Sequence, residues 1–269
     1  MRAQDILERS DALFAAGKGA EAVALLESSY EQARQEGDWQ TRLTLVNELM
    51  GYWRAASRFD RAWAYVDEAR QLLEEHDIAR TLAGVTTVLN IATVFRADRK
   101  PREALALYRE VEQVYLAEGL QADYRLGGLY NNMAVSSLEA GERQQALTYA
   151  RAAVSALAGA EDAAGERATV YANLAAVLMQ ADPPAFDEAE TCLEQALSLF
   201  RKKDPTNPHY GGALSAQAYL AFRRGDEDEA IELYREAMEV TRRAFGENRD
   251  WQRLAANLDL LLKRKEQRG

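Results

Sequence analysis

Apolar residues recur along this chain at spacings of three and four, as in Leu105, Tyr108 and Val111. That spacing puts one apolar stripe on a helix and predicts amphipathic α-helices. Strand signals are absent. A second, longer period lies over the first. Ala22, Ala62, Ala104, Ala146, Ala189 and Ala230 follow one another at gaps of 40, 42, 42, 43 and 41 residues. Self-similarity in this range marks an array of stacked supersecondary units.

Aligned on that Ala, each unit reads as a helix, a short turn and a second helix. In the fourth, Leu129 to Ala134 leads into Gly141, then Ala146, Tyr149 and Ala153. In the sixth, Gln217-Ala218-Tyr219 leads into Gly225, then Ala230, Tyr234 and Ala237; in the first, Gly17 leads into Ala22, Leu26 and Ser29. Gly17, Gly141 and Gly225 stand five residues before their Ala, where the first helix must stop, and glycine enters the left-handed conformation there at little steric cost. Pro101 falls at the first turn of its helix, where a missing N–H does no harm. Small residues at fixed places let the paired helices approach closely.

This pattern resembles the tetratricopeptide repeat family, in which a small residue, a turn Gly, a second-helix Ala, an aromatic four residues on and a further small residue recur. The resemblance runs from about residue 2 to 245. Its period exceeds the family's usual length of about 34 residues and is similar to that of kinesin light chains and related bacterial arrays. The excess corresponds to roughly one added turn on each helix. Ser57 and Arg99 stand where the turn Gly is usual, and Asp182-Pro183-Pro184 lengthens the fifth turn. The resemblance implies an all-α, right-handed superhelical solenoid of six helix-turn-helix repeats plus a C-terminal capping helix. The expected bounds are 2–38, 39–77, 78–120, 121–160, 164–203 and 207–245, with the cap at 248–266, all in one array over 1–269. The loosest connection, Gly159 to Gly165, falls at an ordinary repeat boundary.

Composition narrows the function. Hydrophobic residues make up 48% of the 269-residue chain, enough for a core running along an array. The net charge of −10 argues against nucleic acid or an anionic membrane as the main partner. No apolar run approaches a membrane span, and Met1 to Asp5 opens into an amphipathic helix with no apolar signal segment, so a cytoplasmic location is expected. Cys192 is the single cysteine and reads as a reduced packing residue. His76 and His209 form no HxxxH or HExxH pair, and no phosphate loop or nucleophile elbow occurs, so neither an enzyme nor a metal or other cofactor is expected. The acidic runs Asp226 to Glu229 and Asp187-Glu188 suit the positive end of a helix dipole. The C-terminal segment carries Trp251, Leu254, Leu258, Leu261 and Leu262 at helical spacing, with Arg253, Lys263, Lys265 and Arg268 opposite. It reads as a cap for the last repeat rather than a basic docking helix.

In the family this chain resembles, first helices line a concave surface that takes extended peptides. Asn90 and Asn132 lie fourteen residues before their Ala markers, and Asn173 sixteen before, the longer fifth turn accounting for the difference. Asn47 and Asn131 are one place out of register; the sixth repeat has Ala216 at the matching place and Gln217 just beyond. Asn is a mediocre helix former, so its recurrence needs a cause. Either its carboxamide reads a peptide backbone or it bonds across the repeat junction. Arg54, Arg96 and Arg223 lie further along the same helices and suit a carboxylate. Tyr130, Tyr171 and Tyr219 add aromatic surface or face the core. The expected function is a peptide- or protein-binding scaffold whose ligand is acidic or has a free carboxylate. The alternatives are a self-assembling homo-oligomeric scaffold and a peptide-sensing regulator with a separate effector chain.

Overall fold

The computed structural model describes every residue except 1, 121–123, 161, 204, 206, 208 and 268–269, so Arg268 lies outside the described residues. Thirteen α-helices and no strand occur among the described residues. They run in pairs: α1 (Ala3–Ala15) with α2 (Gly19–Glu36), α3 (Trp39–Ala55) with α4 (Phe59–Glu75), and α5 (Leu82–Ala97) with α6 (Pro101–Ala117). Then follow α7 (Arg125–Glu139) with α8 (Arg143–Leu157), α9 (Ala164–Met179) with α10 (Phe186–Lys203), and α11 (Tyr210–Arg224) with α12 (Glu227–Phe245). Helix α13 (Arg249–Glu266) closes the chain.

The six marker alanines sit near the start of the second helix of each pair, and every one is fully buried. Four and seven residues on, the positions are buried in every repeat, from Leu26 and Ser29 to Tyr234 and Ala237. In the fourth repeat the residue at that buried place is Ala150, not the aromatic Tyr149. Tyr149, one position earlier, is half-buried and stacks on Tyr130 with ring centroids 6.1 Å apart. Ala thus fills a site that elsewhere takes Leu, Val or Tyr.

Five of the six turns within pairs repeat one backbone; the fifth, lengthened by Asp182-Pro183-Pro184, has no left-handed residue. Gly17, Gly141 and Gly225 have φ of 73°, 83° and 94°, and Ser57 and Arg99 adopt the same left-handed backbone at 59° and 64°. The next N–H then reaches back five residues to an unpaired helix carbonyl: Lys18 to Leu13 at 2.9 Å, Arg58 to Trp53 at 2.8 Å, Lys100 to Phe95 at 2.9 Å. The carbonyls at the helix end demand this geometry whichever residue supplies it.

By internal packing the chain divides into two compact units, Met1–Val114 and Tyr115–Gly269. In the first, Ile6, Val23, Leu26, Leu45 and Leu49 form a core flanked by Tyr30, Tyr52, Trp53 and Tyr65. In the second, Ala153, Leu157 and Val170 form one cluster, and Leu254 and Leu261 of α13 join Ala230, Ile231 and Tyr234 in another. Helix α13 therefore covers the apolar face of the last pair. Its basic residues also hold it there: Arg264 pairs with Glu227 at 3.0 Å, and Lys265 with Asp228. Asp226 caps α12 by accepting the Glu229 N–H at 3.1 Å, so the acidic run serves helix start and helix packing together.

Candidate functional site

The candidate residues lie on the first helices of the repeats, and helical phase fixes which face each one shares. On α3 and α5, the Asn90 Nδ2 donates to the Asn47 Oδ1 at 2.9 Å, across a repeat junction. Asn47 Nδ2 in turn donates to the Thr87 hydroxyl at 2.8 Å and to the Leu43 carbonyl at 3.0 Å. The same contact recurs in the second unit, where Asn173 Nδ2 donates to Asn131 Oδ1 at 2.9 Å. Asn47 and Asn131, one place out of register in the sequence, are thus the acceptors for the in-register Asn of the following repeat. At these two junctions, α3 with α5 and α7 with α9, the first helices meet with an offset of one residue, and the staggered pair spans it.

These pairs leave hydrogen-bonding capacity unused. Among the described residues, the Asn90 and Asn173 carboxamide oxygens and the Asn131 amide nitrogen make no hydrogen bond. Asn132 is half-buried, and its carboxamide has no hydrogen-bond partner among them. Gln217 is half-buried, with its Oε1 enclosed and unpartnered.

Arg54 and Arg96 converge on one hydroxyl. Tyr108 of α6 is fully buried, and its phenolic oxygen lies 3.1 Å from the Thr93 hydroxyl. Burial pushes the Tyr108 ionisation upward, while the Arg96 charge, the Thr93 and Arg96 hydrogen bonds and the Arg54 charge oppose it. Arg223 is exposed; it donates to the Tyr219 hydroxyl at 2.8 Å and lies 4.9 Å from the centre of the Phe186 ring. Tyr130, Tyr171 and Tyr219 are each half-buried against the clusters of the second unit. The asparagines and arginines of the two units are therefore two local groups, Asn47, Arg54, Asn90 and Arg96 in the first and Asn131, Asn132, Asn173, Gln217 and Arg223 in the second.

No described group of His, Cys, Asp and Glu is arranged to hold a metal ion. His76 stacks on Trp39 with centroids 4.0 Å apart. No described helix is long and apolar enough to cross a membrane.

Residues 166–242, the fifth and sixth helix pairs, match the tetratricopeptide repeat family model. No curated protein sequence matches the chain. Among solved structures the fold is similar to that of a Podosopora anserina putative kinesin light chain with nearly identical TPR-like repeats. That likeness has 18% identity and a TM-score of 0.55 over 76% of this chain and 96% of that one. BtubC (BKLC) from P. vanneervenii is similar at 21% identity and a TM-score of 0.51, over 81% of this chain and 83% of its own. NprR, solved in complex with its cognate peptide NprX, is similar at 15% identity and a TM-score of 0.66, over 98% of this chain and 72% of its own. The chain has the tetratricopeptide repeat fold, a framework typical of protein–protein interaction.

Proposed function

We propose that this chain is a non-enzymatic, cytoplasmic scaffold that binds an extended peptide or protein segment along its first helices. Asn132 carries the reading. It is a half-buried carboxamide with no described partner, and it sits beside an Asn131–Asn173 pair that already supplies the cross-repeat bond. A donor and an acceptor left together match a peptide backbone. Asn131 and Asn173 offer further unused groups on the same series of helices, Gln217 continues the series on α11, and Arg223 adds an exposed charge with aromatic support. In the first unit, Asn47 and Asn90 are the corresponding carboxamides. Arg54 and Arg96 bias that unit toward an acidic residue or a free carboxylate.

The test compares Asn132→Ala with Asn47→Ala, using partner segments captured from the native cell and then synthesised. Asn132→Ala is expected to weaken binding by about 0.5–1.5 kcal/mol at an unchanged melting temperature. Asn47→Ala is expected to lower the melting temperature, because it breaks a bonded pair. The reading fails if Asn132→Ala destabilises the fold as Asn47→Ala does and leaves binding untouched.

A further inference from the structure

A cavity of about 570 Å³ opens between α8, α9 and α10, all within the second unit. Its volume is in the range that holds small organic ligands. Val154, Leu157, Val170 and Leu199 supply an apolar wall. Arg167, Tyr171, Gln195 and Ser198 supply polar groups, and Glu194 is the one acidic residue of the lining.

Arg167 is the informative member. It is half-buried, its Nε is enclosed, and its guanidinium makes neither a hydrogen bond nor an ion pair with any described residue. Other arginines of the second unit are paired: Arg151 with Glu188 at 3.2 Å, and Arg264 with Glu227 at 3.0 Å. A guanidinium stays charged at any ordinary pH. Leaving one of its buried donors without an acceptor is costly, and in native structures such a group calls for a cause. The acidic residue of the same lining does not provide it, since Glu194 is exposed and forms no ion pair with Arg167.

We infer that this cavity is a binding site for a small apolar monocarboxylate, with Arg167 taking the carboxylate and the Val154–Leu157–Val170–Leu199 wall taking the apolar body. The guanidinium fork matches a carboxylate with two parallel hydrogen bonds. Gln195 and Ser198 give the carboxylate neutral partners. Glu194 disfavours a second negative charge and favours an ammonium group, so a monocarboxylate is preferred to a dicarboxylate. The carboxylate can then belong to a simple organic acid or to an α-amino acid. The site is separate from the asparagine series and goes beyond the peptide-binding reading.

Two probes with the same body separate those sources: 3-phenylpropanoate, and phenylalanine, which adds the ammonium. Each is titrated into the full chain and followed by calorimetry and by chemical-shift changes. The expected result is saturable one-to-one binding of at least one probe, weakened about tenfold or more in Arg167→Gln and unchanged in Arg102→Gln, an exposed control. Arg167→Lys keeps the charge but loses the fork and should bind with intermediate affinity. Melting curves of each variant separate lost binding from lost folding. Tighter binding of phenylalanine, reversed in Glu194→Gln, assigns the amino-acid source; tighter binding of 3-phenylpropanoate assigns the simple acid. The inference is overturned if neither probe saturates the protein below about 10 mM, or if a folded Arg167→Gln and Arg167→Lys both bind as the native chain does.

Discussion

Gly127 and Gly128 are neighbours on α7 with opposite roles. A Cβ on Gly127 would meet the Leu157 Cγ at 2.5 Å, whereas one on Gly128 meets nothing within 4 Å. Gly127 is a point of close approach between α7 and α8, and Gly211 plays the same part against Thr241 of α12, at 2.6 Å. Gly127→Ala is expected to destabilise the protein by about 1–3 kcal/mol through overpacking. Gly128→Ala, in an exposed helix position, is expected to stabilise it by about 0.5–1 kcal/mol. Urea unfolding of the two variants checks both signs. Nothing in the local sequence tells the two glycines apart, because the difference lies in a side chain thirty positions away.

Cys192 makes a second prediction at this scale. Burial pushes its thiol up to about 11 from an ordinary value of 9.0; the Glu188 charge adds to the effect and Arg151 opposes it. The folded value is the higher one, so the unfolded chain loses its proton first as pH rises. The contribution to stability is whole below pH 9.0 and is lost as pH climbs through about 11. Unfolding free energies measured from pH 8 to 11 should fall more steeply for the native chain than for Cys192→Ala. At pH 8 the folded thiol should resist alkylation. The packing role of this residue was readable from its place on an amphipathic helix; the shift comes first from the depth of its burial, which only the packed structure shows.

Among whole elements, α13 is the one whose role was open to two readings. Its basic residues alone suggested a docking surface, and its leucines a cap. Leu254 and Leu261 are buried against α12, and Arg264 and Lys265 are spent on Glu227 and Asp228. Deleting residues 247–269 should expose Ile231 and Tyr234 and produce aggregation or a lower melting temperature. A truncated protein as stable as the native chain would contradict the cap. The turns show the reverse relation between sequence and structure. Ser57 and Arg99 depart from glycine, yet hold the left-handed backbone of Gly17, Gly141 and Gly225. There the requirement is set by the helix end, and the residue tolerates it at a cost of about 1 kcal/mol.

For the molecule as a whole, the second unit offers the clearest test of how far cooperation extends. The connection from Gly159 to Gly165 reads in the sequence as the weakest joint of the chain. Yet Ala153 and Leu157 on one side share a core with Val170 on the other. Fragments 1–160 and 166–269 should therefore each expose apolar surface and associate or aggregate. Two fragments that are both monomeric, soluble and as stable as the intact chain would show the joint to be a true boundary. The solution mass of the intact chain, measured at high concentration, also separates a monomeric binding scaffold from a self-assembling one.

The sequence by itself determined the helical class, the long period, the buried alanines and the turn positions. All of these are local or strictly periodic, so a one-dimensional pattern carries them. It also marked the asparagines and arginines of the first helices, but not what each one does. Tertiary structure alone decided that Asn47 and Asn131 are acceptors for Asn90 and Asn173 while Asn132 is unpaired. It alone distinguished Gly127 from Gly128, and it alone revealed the cavity where Arg167 lies without a partner. The physical reason is common to all three. Each depends on how closely helices thirty to forty residues apart in the chain approach one another, and that approach is fixed by packing, not by any repeat that the sequence displays.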